Sequence, residues 1–114
     1  MVIHRNEMKS ENKEKMRGGA GITTLTYLVD CEKEQNIRML AELTLPPGAS
    51  IGRHNHDSET EYYIILSGSG VLNDNGTDIP VQSGDAMLTG NGASHSISNT
   101  GSVPLVFHAI IVTH

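Results

Sequence analysis

One short polar stretch carries the residues best suited to chemistry. The segment GRHNHDSETEYY, residues 52–63, contains His54 and His56 and, within the next five positions, three carboxylates that end with Glu61. Residues two apart in a strand project to the same face, so the two imidazoles should point the same way. An antiparallel return of the chain would bring Glu61 level with them. The segment is therefore either a solvated loop with a chance cluster or half of a metal site.

A third histidine decides between these alternatives. His95 lies in GNGASHSISN, between a glycine-rich turn and another strand-like run. Three imidazoles and one carboxylate suit a divalent transition metal, and Mn, Fe, Ni, Co and Zn all accept this set, with Mn or Fe favoured. An octahedral ion would keep two positions open for water, dioxygen or a bidentate anion. The four residues predict a site built for exchange.

The elements that must position these residues read as short strands. From residue 22 onward, β-branched and alternating runs such as ITTLTYLV and NIRMLAELTL recur about every ten residues, with glycine-rich turns between them. Asp74-Asn75-Gly76 predicts a tight hairpin. No segment has a helical period, so the fold class is all-β, a sandwich or barrel. Residues 1–21, polar and charged, are predicted to be an exposed arm, and residues 22–114 the barrel domain.

The spacing of the glycines and ligands resembles that of the cupins. The first cupin motif, G-x5-H-x-H-x4-E-x6-G, is filled by Gly48, His54, His56, Glu61 and Gly68. The second, G-x5-P-x-G-x2-H-x3-N, is filled by Gly84, Gly92, His95 and Asn99, with Gly90 in place of the proline. The resemblance covers about residues 37–112. It implies a double-stranded β-helix, or jelly roll, with metal ligands His54, His56, Glu61 and His95.

The resemblance also implies a range of functions. Small cupins with this ligand set resemble oxalate decarboxylase-like and dioxygenase-like enzymes, so the expected ligand is a small carboxylate or enol-type molecule. The alternative is a binding or storage module without turnover, and a sugar isomerase or epimerase is less favoured because the predicted inner faces are apolar. A bidentate anion such as oxalate would offset the positive charge of the loaded site. The sequence shows no obvious proton donor or lid.

The sequence also predicts where the other residues around the ligands lie. Glu59 is expected to be solvated, and His108, in the apolar run LVFHAIIV, to be a satisfied core histidine. Arg53 has the opposite strand parity to His54 and should face away. Arg17 and Arg38 could reach an anionic ligand, but a surface position is expected for both. Tyr63 should line the cavity or pack in the barrel. One alternating face is expected to form a small, dry cavity: Ile37, Met39, Ala41 and Leu43.

The composition and charge of the chain limit the kinds of partner that we expect it to bind. The net charge is −5 and the eight basic residues are dispersed, which argues against nucleic acid and against a polybasic membrane patch. No apolar run is long enough to cross a bilayer, and the N-terminus is too polar for a secretory signal. Cys31 is the single cysteine, so a reducing cytoplasm is expected. The strand-like run ITTLTYLV could pair with an edge of a second copy, which predicts a homodimer.

Overall fold

Ten strands account for most of the chain in the computed structural model, which describes residues 1–114. They are β1 (Ser10–Glu14), β2 (Ile22–Tyr27), β3 (Ile37–Leu45), β4 (Ser50–Asn55), β5 (Glu59–Ser67), β6 (Ser69–Asp74), β7 (Thr77–Gln82), β8 (Ala86–Gly90), β9 (Ser94–Ser98) and β10 (Leu105–Thr113). Two three-residue 3₁₀ helices, Arg5–Glu7 and Met16–Gly18, flank β1. Neither is long or apolar enough to span a membrane.

The strands form two antiparallel sheets. The six-stranded sheet has the order β1-β2-β3-β10-β5-β8, and the four-stranded sheet has the order β4-β9-β6-β7. Strands adjacent in the chain repeatedly change sheet, as in a double-stranded β-helix. The predicted all-β jelly roll is confirmed.

The core lies between the two sheets because their strands alternate. On β10, for example, Phe107 and Ala109 are fully buried while His108 and Ile110 on the opposite face are half-exposed. Both sheets contribute to one apolar cluster of thirteen buried residues: Leu25, Ala41, Leu43, Leu45, Ala49, Ile51, Tyr63, Ile65, Leu72, Ile97, Leu105, Phe107 and Ala109. This cluster fills one part of the barrel and leaves the other part to the polar site.

The N-terminal segment is part of the six-stranded sheet. Residues 10–14 are exposed, as expected for an arm, but they pair in register with residues 22–26 of β2. The other edge of β2 pairs with β3. The run ITTLTYLV therefore finds both neighbours within its own chain, so it does not supply the free edge on which the dimer prediction rested.

The predicted hairpin at residues 74–76 is confirmed. β6 and β7 pair from Ser69–Gln82 to Asp74–Thr77, leaving Asn75 and Gly76 as a two-residue loop. Both have positive φ, 49° and 104°, which is the conformation that such a tight turn needs and that glycine and asparagine adopt most readily.

Candidate metal centre

Four side chains converge at one point between the sheets. The Nε2 atoms of His56 and His95 lie 2.9 Å and 3.0 Å from Oε1 of Glu61, and the Nε2 atom of His54 lies 3.0 Å from that of His95. The ligand atoms of all four residues lie within 4.8 Å of one another. In an octahedron with bonds of about 2.1 Å, adjacent ligands are about 3 Å apart. The spacing therefore fits a metal ion in this position.

The hydrogen bonds of the imidazoles also fit a bound cation. His54 Nδ1 donates to the carbonyl oxygen of Gly52, and His56 Nδ1 donates to Oε1 of Glu59, each at 2.8 Å. A neutral imidazole that donates through Nδ1 carries a lone pair on Nε2. These lone pairs face Glu61 Oε1, a buried atom without a hydrogen-bond partner. Electron-rich atoms this close repel one another unless a cation lies between them.

The carboxylate of Glu61 remains ionised in this environment. Burial would raise the pKa of Glu61, but without a metal the imidazoles of His54, His56 and His95 can carry protons on Nε2 and donate to this carboxylate, which holds its pKa well below its usual range. Burial lowers the pKa of His95, which favours the neutral ring that a metal requires. The donor set is thus an anionic oxygen and three nitrogens, as divalent transition metals prefer.

The ligands come from both sheets. His54 lies on β4 and His56 directly follows it, His95 lies on the neighbouring β9, and Glu61 lies on β5 of the opposite sheet. The expectation that Glu61 returns on a strand paired with the histidines was wrong. The turn at residues 56–58 crosses between the sheets, so the carboxylate meets the imidazoles across the barrel interior.

An irregularity in β4 aims the first histidine inward. Ile51 pairs with Ile97, and His54 pairs with His95, so β4 has one residue more than β9 between these pairs. Strict alternation from the buried Ile51 would turn His54 outward. The extra residue is a β-bulge, which restores the inward direction, and bulges of this kind recur beside functional sites.

Glu59 supports the ligand His56, contrary to the expectation that it is solvated. Its carboxylate accepts the His56 Nδ1 hydrogen bond and two bonds from Arg38, at 2.8 Å and 2.9 Å. The Arg38 guanidinium and His56 lower the pKa of Glu59 to about 2 although burial opposes them. A carboxylate behind a ligand histidine fixes the ring's orientation and tautomer and raises its basicity. Position Glu59 carried no sequence signal because the motif spacing does not include it.

Three of the four convergent residues, His54, His56 and Glu61, line a small cavity. Its volume is about 220 Å³, room for about seven waters at about 30 Å³ each and less than the about 300 Å³ of pockets for drug-sized molecules. Met39 and Leu43 of the predicted apolar face line it, together with Tyr63, whereas Ala41 packs in the core. Ile37 borders a separate, larger cavity of about 770 Å³ on the other side of Arg38 and Met39.

Three cationic side chains line the same small cavity: Lys13, Arg17 and Arg38. Arg17 and Arg38 are exposed, as expected, but both also line this cavity, and the expectation of a mainly apolar lining was wrong. Arg38 lies at a bulge, since Ile111 and Val112 of β10 pair with Met39 and Ile37 and skip it. A bulge redirects a side chain, so strand parity could not place Arg38.

Other flanking residues lie outside the site. Arg53 is exposed and donates to the Ser94 hydroxyl, as its parity predicted. The core role expected for His108 was wrong. Its side chain is 31% exposed on the outer face, and Nε2 lies 3.6 Å from Glu42. The outer face of the strand LVFHAIIV is only half-covered, so its apolar residues on that face do not place His108 in the core.

At Gly90, a Cβ atom would lie 2.7 Å from the Thr60 hydroxyl oxygen, so this turn is tightly packed.

Comparison with known proteins agrees with this geometry. The family model described as a cupin domain matches residues 41–112. The chain is 44% identical over 113 residues to a protein of Thermotoga maritima named an oxalate-binding protein, covering 98% of this chain and 93% of that one.

Solved structures with a similar fold also match this chain. A structure described as a predicted oxalate decarboxylase from Thermotoga maritima has a TM-score of 0.95 and 43% identity over the full length of both chains. A putative sugar phosphate isomerase from Acidithiobacillus ferrooxidans has a TM-score of 0.80 and 26% identity over 99% of this chain and 75% of its own. With its fold, its motif residues and its convergent ligands, the chain belongs to the cupin family.

Proposed function

We propose that this protein binds a divalent transition metal through His54, His56, Glu61 and His95 and uses it to hold a small carboxylate of the oxalate class. The observation that carries the proposal is the convergence of four donor atoms at one point, where three of their residues, His54, His56 and Glu61, line a cavity of about 220 Å³. Mn or Fe is the favoured metal because open positions and mixed nitrogen and oxygen ligands suit both. The similarity to a protein named as oxalate-binding supports the ligand class.

The charges around the cavity favour an anion. Glu61 offsets one charge of a divalent ion, and Glu59 is neutralised by Arg38, so the loaded site remains positive even without Lys13 and Arg17. A chelating carboxylate would replace two waters at once and offset this charge. The attraction is screened less in a partly buried cavity than in water. The metal, when bound, supplies a Lewis acid that polarises such a ligand.

The residues that line the cavity favour binding of the ligand over its catalytic conversion. Apart from the four ligands, the titratable groups of the cavity are Lys13, Arg17, Arg38 and Tyr63. Burial raises the pKa of Tyr63 well above its usual value. None of these groups is a carboxylic acid or a free imidazole that could pass a proton at neutral pH. Metal-dependent decarboxylation or dioxygenation is thus the second candidate, and binding is the first.

The test is calorimetric titration of metal-loaded protein with oxalate and with a neutral hexose. Oxalate should bind at least tenfold more tightly, and its binding should disappear in metal-free protein and in a His95→Ala variant. Carbon dioxide release and oxygen consumption, followed in the same samples, report on turnover. Equal binding of oxalate and hexose, or oxalate binding that survives the loss of the metal, would refute the proposal.

We further propose that the protein acts in the cytoplasm as a homodimer. The single free thiol, Cys31, is consistent with a reducing compartment. The outer face of the six-stranded sheet supports self-association because it exposes neighbouring apolar side chains: Tyr62, Ile64, Leu66 and Leu88. Contiguous apolar patches of this kind are typical of interfaces.

A further inference from the structure

Arg17 differs from the other arginines of the chain in having no side-chain partner. Arg5 pairs with Glu42, Arg38 with Glu59, and Arg53 donates to Ser94. Arg17 takes part in no ion pair or side-chain hydrogen bond, although it lines the metal-site cavity. An unpaired guanidinium beside a cavity is free to bind an anion.

The backbone around Arg17 is held in an unfavourable conformation. Lys15 and Arg17 have φ of 48° and 54°, in the left-handed region that residues other than glycine rarely adopt. Strain of this kind persists only where surrounding structure enforces it, and it is concentrated at functional sites. Here it directs the chain just after β1, so that Arg17 lines the same cavity as Lys13 of β1.

Two glycines lock this segment against the strand that carries the first ligand. A Cβ atom on Gly52 would lie 2.0 Å from the carbonyl oxygen of Arg17, and one on Gly19 would lie 2.2 Å from that of Ser50. The backbones of residues 17–19 and of β4 therefore touch directly. Gly52 also accepts the Nδ1 hydrogen bond of His54. Arg17 is thus fixed relative to the metal ligands rather than attached through a flexible arm.

We propose that Arg17, assisted by Lys13, binds the outward-facing oxygens of a dicarboxylate whose other oxygens occupy the open metal positions. The inference rests on the proposed function and narrows its ligand from carboxylates in general to small dianions. Arg17 presents a planar set of donors that matches carboxylate oxygens. Lys13 contributes a point charge that remains available to the ligand, because its ion pair with Glu11 is long, at 3.7 Å, and lies on the exposed surface.

A monoanion that can also chelate the metal separates this proposal from the general one. Glycolate can chelate a metal through its carboxylate and hydroxyl oxygens, but it lacks the second carboxylate. The preference of metal-loaded protein for oxalate over glycolate should be about ten- to a hundredfold larger in wild type than in a variant without the Arg17 charge, the range expected for a charged hydrogen-bonding pair. The measurement is calorimetric titration of wild type and variants with both ligands after loading with Mn²⁺.

The first variant is Arg17→Asn, because asparagine tolerates left-handed backbone. We expect it to lose most of the preference for oxalate while glycolate affinity changes less than about threefold and Mn²⁺ affinity is unchanged. Lys13→Gln, on an exposed strand, should reduce the preference in the same direction and serves if Arg17→Asn does not fold. Arg53→Met removes an arginine of β4 outside the cavity and should bind like wild type.

The outcomes distinguish the two proposals. If wild type binds oxalate through the metal but both cavity variants keep its full preference over glycolate, the role of Arg17 and Lys13 is wrong and the proposed function stands. If metal-loaded wild type binds neither carboxylate, both are wrong. Loss of the preference in the cavity variants, with Arg53→Met unchanged, supports the inference.

Discussion

His56 is held by a chain of side chains that extends away from the metal position. Its Nδ1 atom donates to Glu59, and Glu59 accepts two bonds from Arg38. The chain fixes the ring in the tautomer whose Nε2 lone pair faces the metal position. Because Arg38 also lines the cavity, the support of one ligand and the charge of the ligand pocket depend on the same residue.

Replacing Glu59 by glutamine should weaken metal binding without unfolding the barrel. The change removes the negative charge that raises the basicity of His56, and such changes typically cost ten- to a hundredfold in metal affinity, so we expect a loss of about that size. Competition with a chelating dye measures it. The matched control is Glu42→Gln, because Glu42 also pairs with an arginine but lies on the outer face. Equal affinity in Glu59→Gln and wild type would contradict this role.

The same residue predicts a pH dependence of stability. The Arg38 pair lowers the pKa of Glu59 from its ordinary value of 4.5 to about 2, so the folded state releases this proton more readily than the unfolded state. Its contribution is present above about pH 4.5 and is lost as the pH falls toward 2. The difference in unfolding free energy between metal-free wild type and Glu59→Gln should shrink over this range. A difference that is constant from pH 6 to pH 3 would contradict the prediction.

The four ligands could be predicted from sequence, and their supporting residues could not. Ligand positions follow from the spacing of His54, His56, Glu61 and His95 within two long motifs. Glu59 and Arg17 act through contacts between segments far apart in the chain, which no local pattern encodes. Glu59 needs Arg38, 21 residues earlier, and Arg17 needs a direct backbone contact with Gly52.

At the scale of the elements, departures from ideal strands direct the side chains. β4 gains a residue between Ile51 and His54, and β3 gains Arg38. Each bulge reverses the alternation beyond it. Alternation in the sequence predicted the strands and the tight turn at Asn75-Gly76, but it assumed an unbroken period of two. The cavity-lining position of Arg38 was missed for that reason, whereas the location of Glu61 on the opposite sheet was missed because the turn at residues 56–58 crosses between the sheets.

The contact between β4 and the segment before β2 predicts a large effect of a small change. Gly52→Ala would place Cβ 2.0 Å from the Arg17 carbonyl oxygen, so the backbones must separate. Overpacking typically costs about 1–3 kcal/mol, and we expect at least this loss in unfolding free energy, measured by urea denaturation of metal-free protein. The control is Gly101→Ala, whose Cβ would approach only the Ser69 side-chain oxygen at 3.1 Å. Equal stability of the two variants would contradict the prediction.

At the scale of the whole molecule, the outer face of the six-stranded sheet carries an exposed apolar patch. Tyr62 and Leu88 are paired across β5 and β8 and are 37% and 60% exposed, with Ile64 and Leu66 beside them at 40% each. The spacing of the strand-like runs predicted the fold class, and the run ITTLTYLV predicted a dimer. The surface proposed for that dimer comes from the structure, because β2 is already paired on both edges.

A charge on this face should prevent self-association. Leu88→Glu places a carboxylate in the centre of the apolar patch, where pairing with a second copy would bury it at high cost. Light scattering at micromolar concentration should give a dimer mass for wild type and a monomer mass for Leu88→Glu. Ile79→Glu, at an equally apolar exposed position on β7, should remain dimeric. A monomeric wild type, or a dimeric Leu88→Glu, would show that this face is not the interface.

The metal content of the purified protein tests the assigned centre most directly. Tag-free wild type, purified without added metal or chelator, is compared by elemental analysis with His95→Gln and with His108→Gln, which removes a histidine outside the site. We predict close to one divalent transition metal ion per chain in wild type and His108→Gln, and almost none in a folded His95→Gln. Equal metal content in all three proteins, or a wild type that retains no metal even after loading and dialysis, would contradict the assignment of His54, His56, Glu61 and His95 as a metal centre.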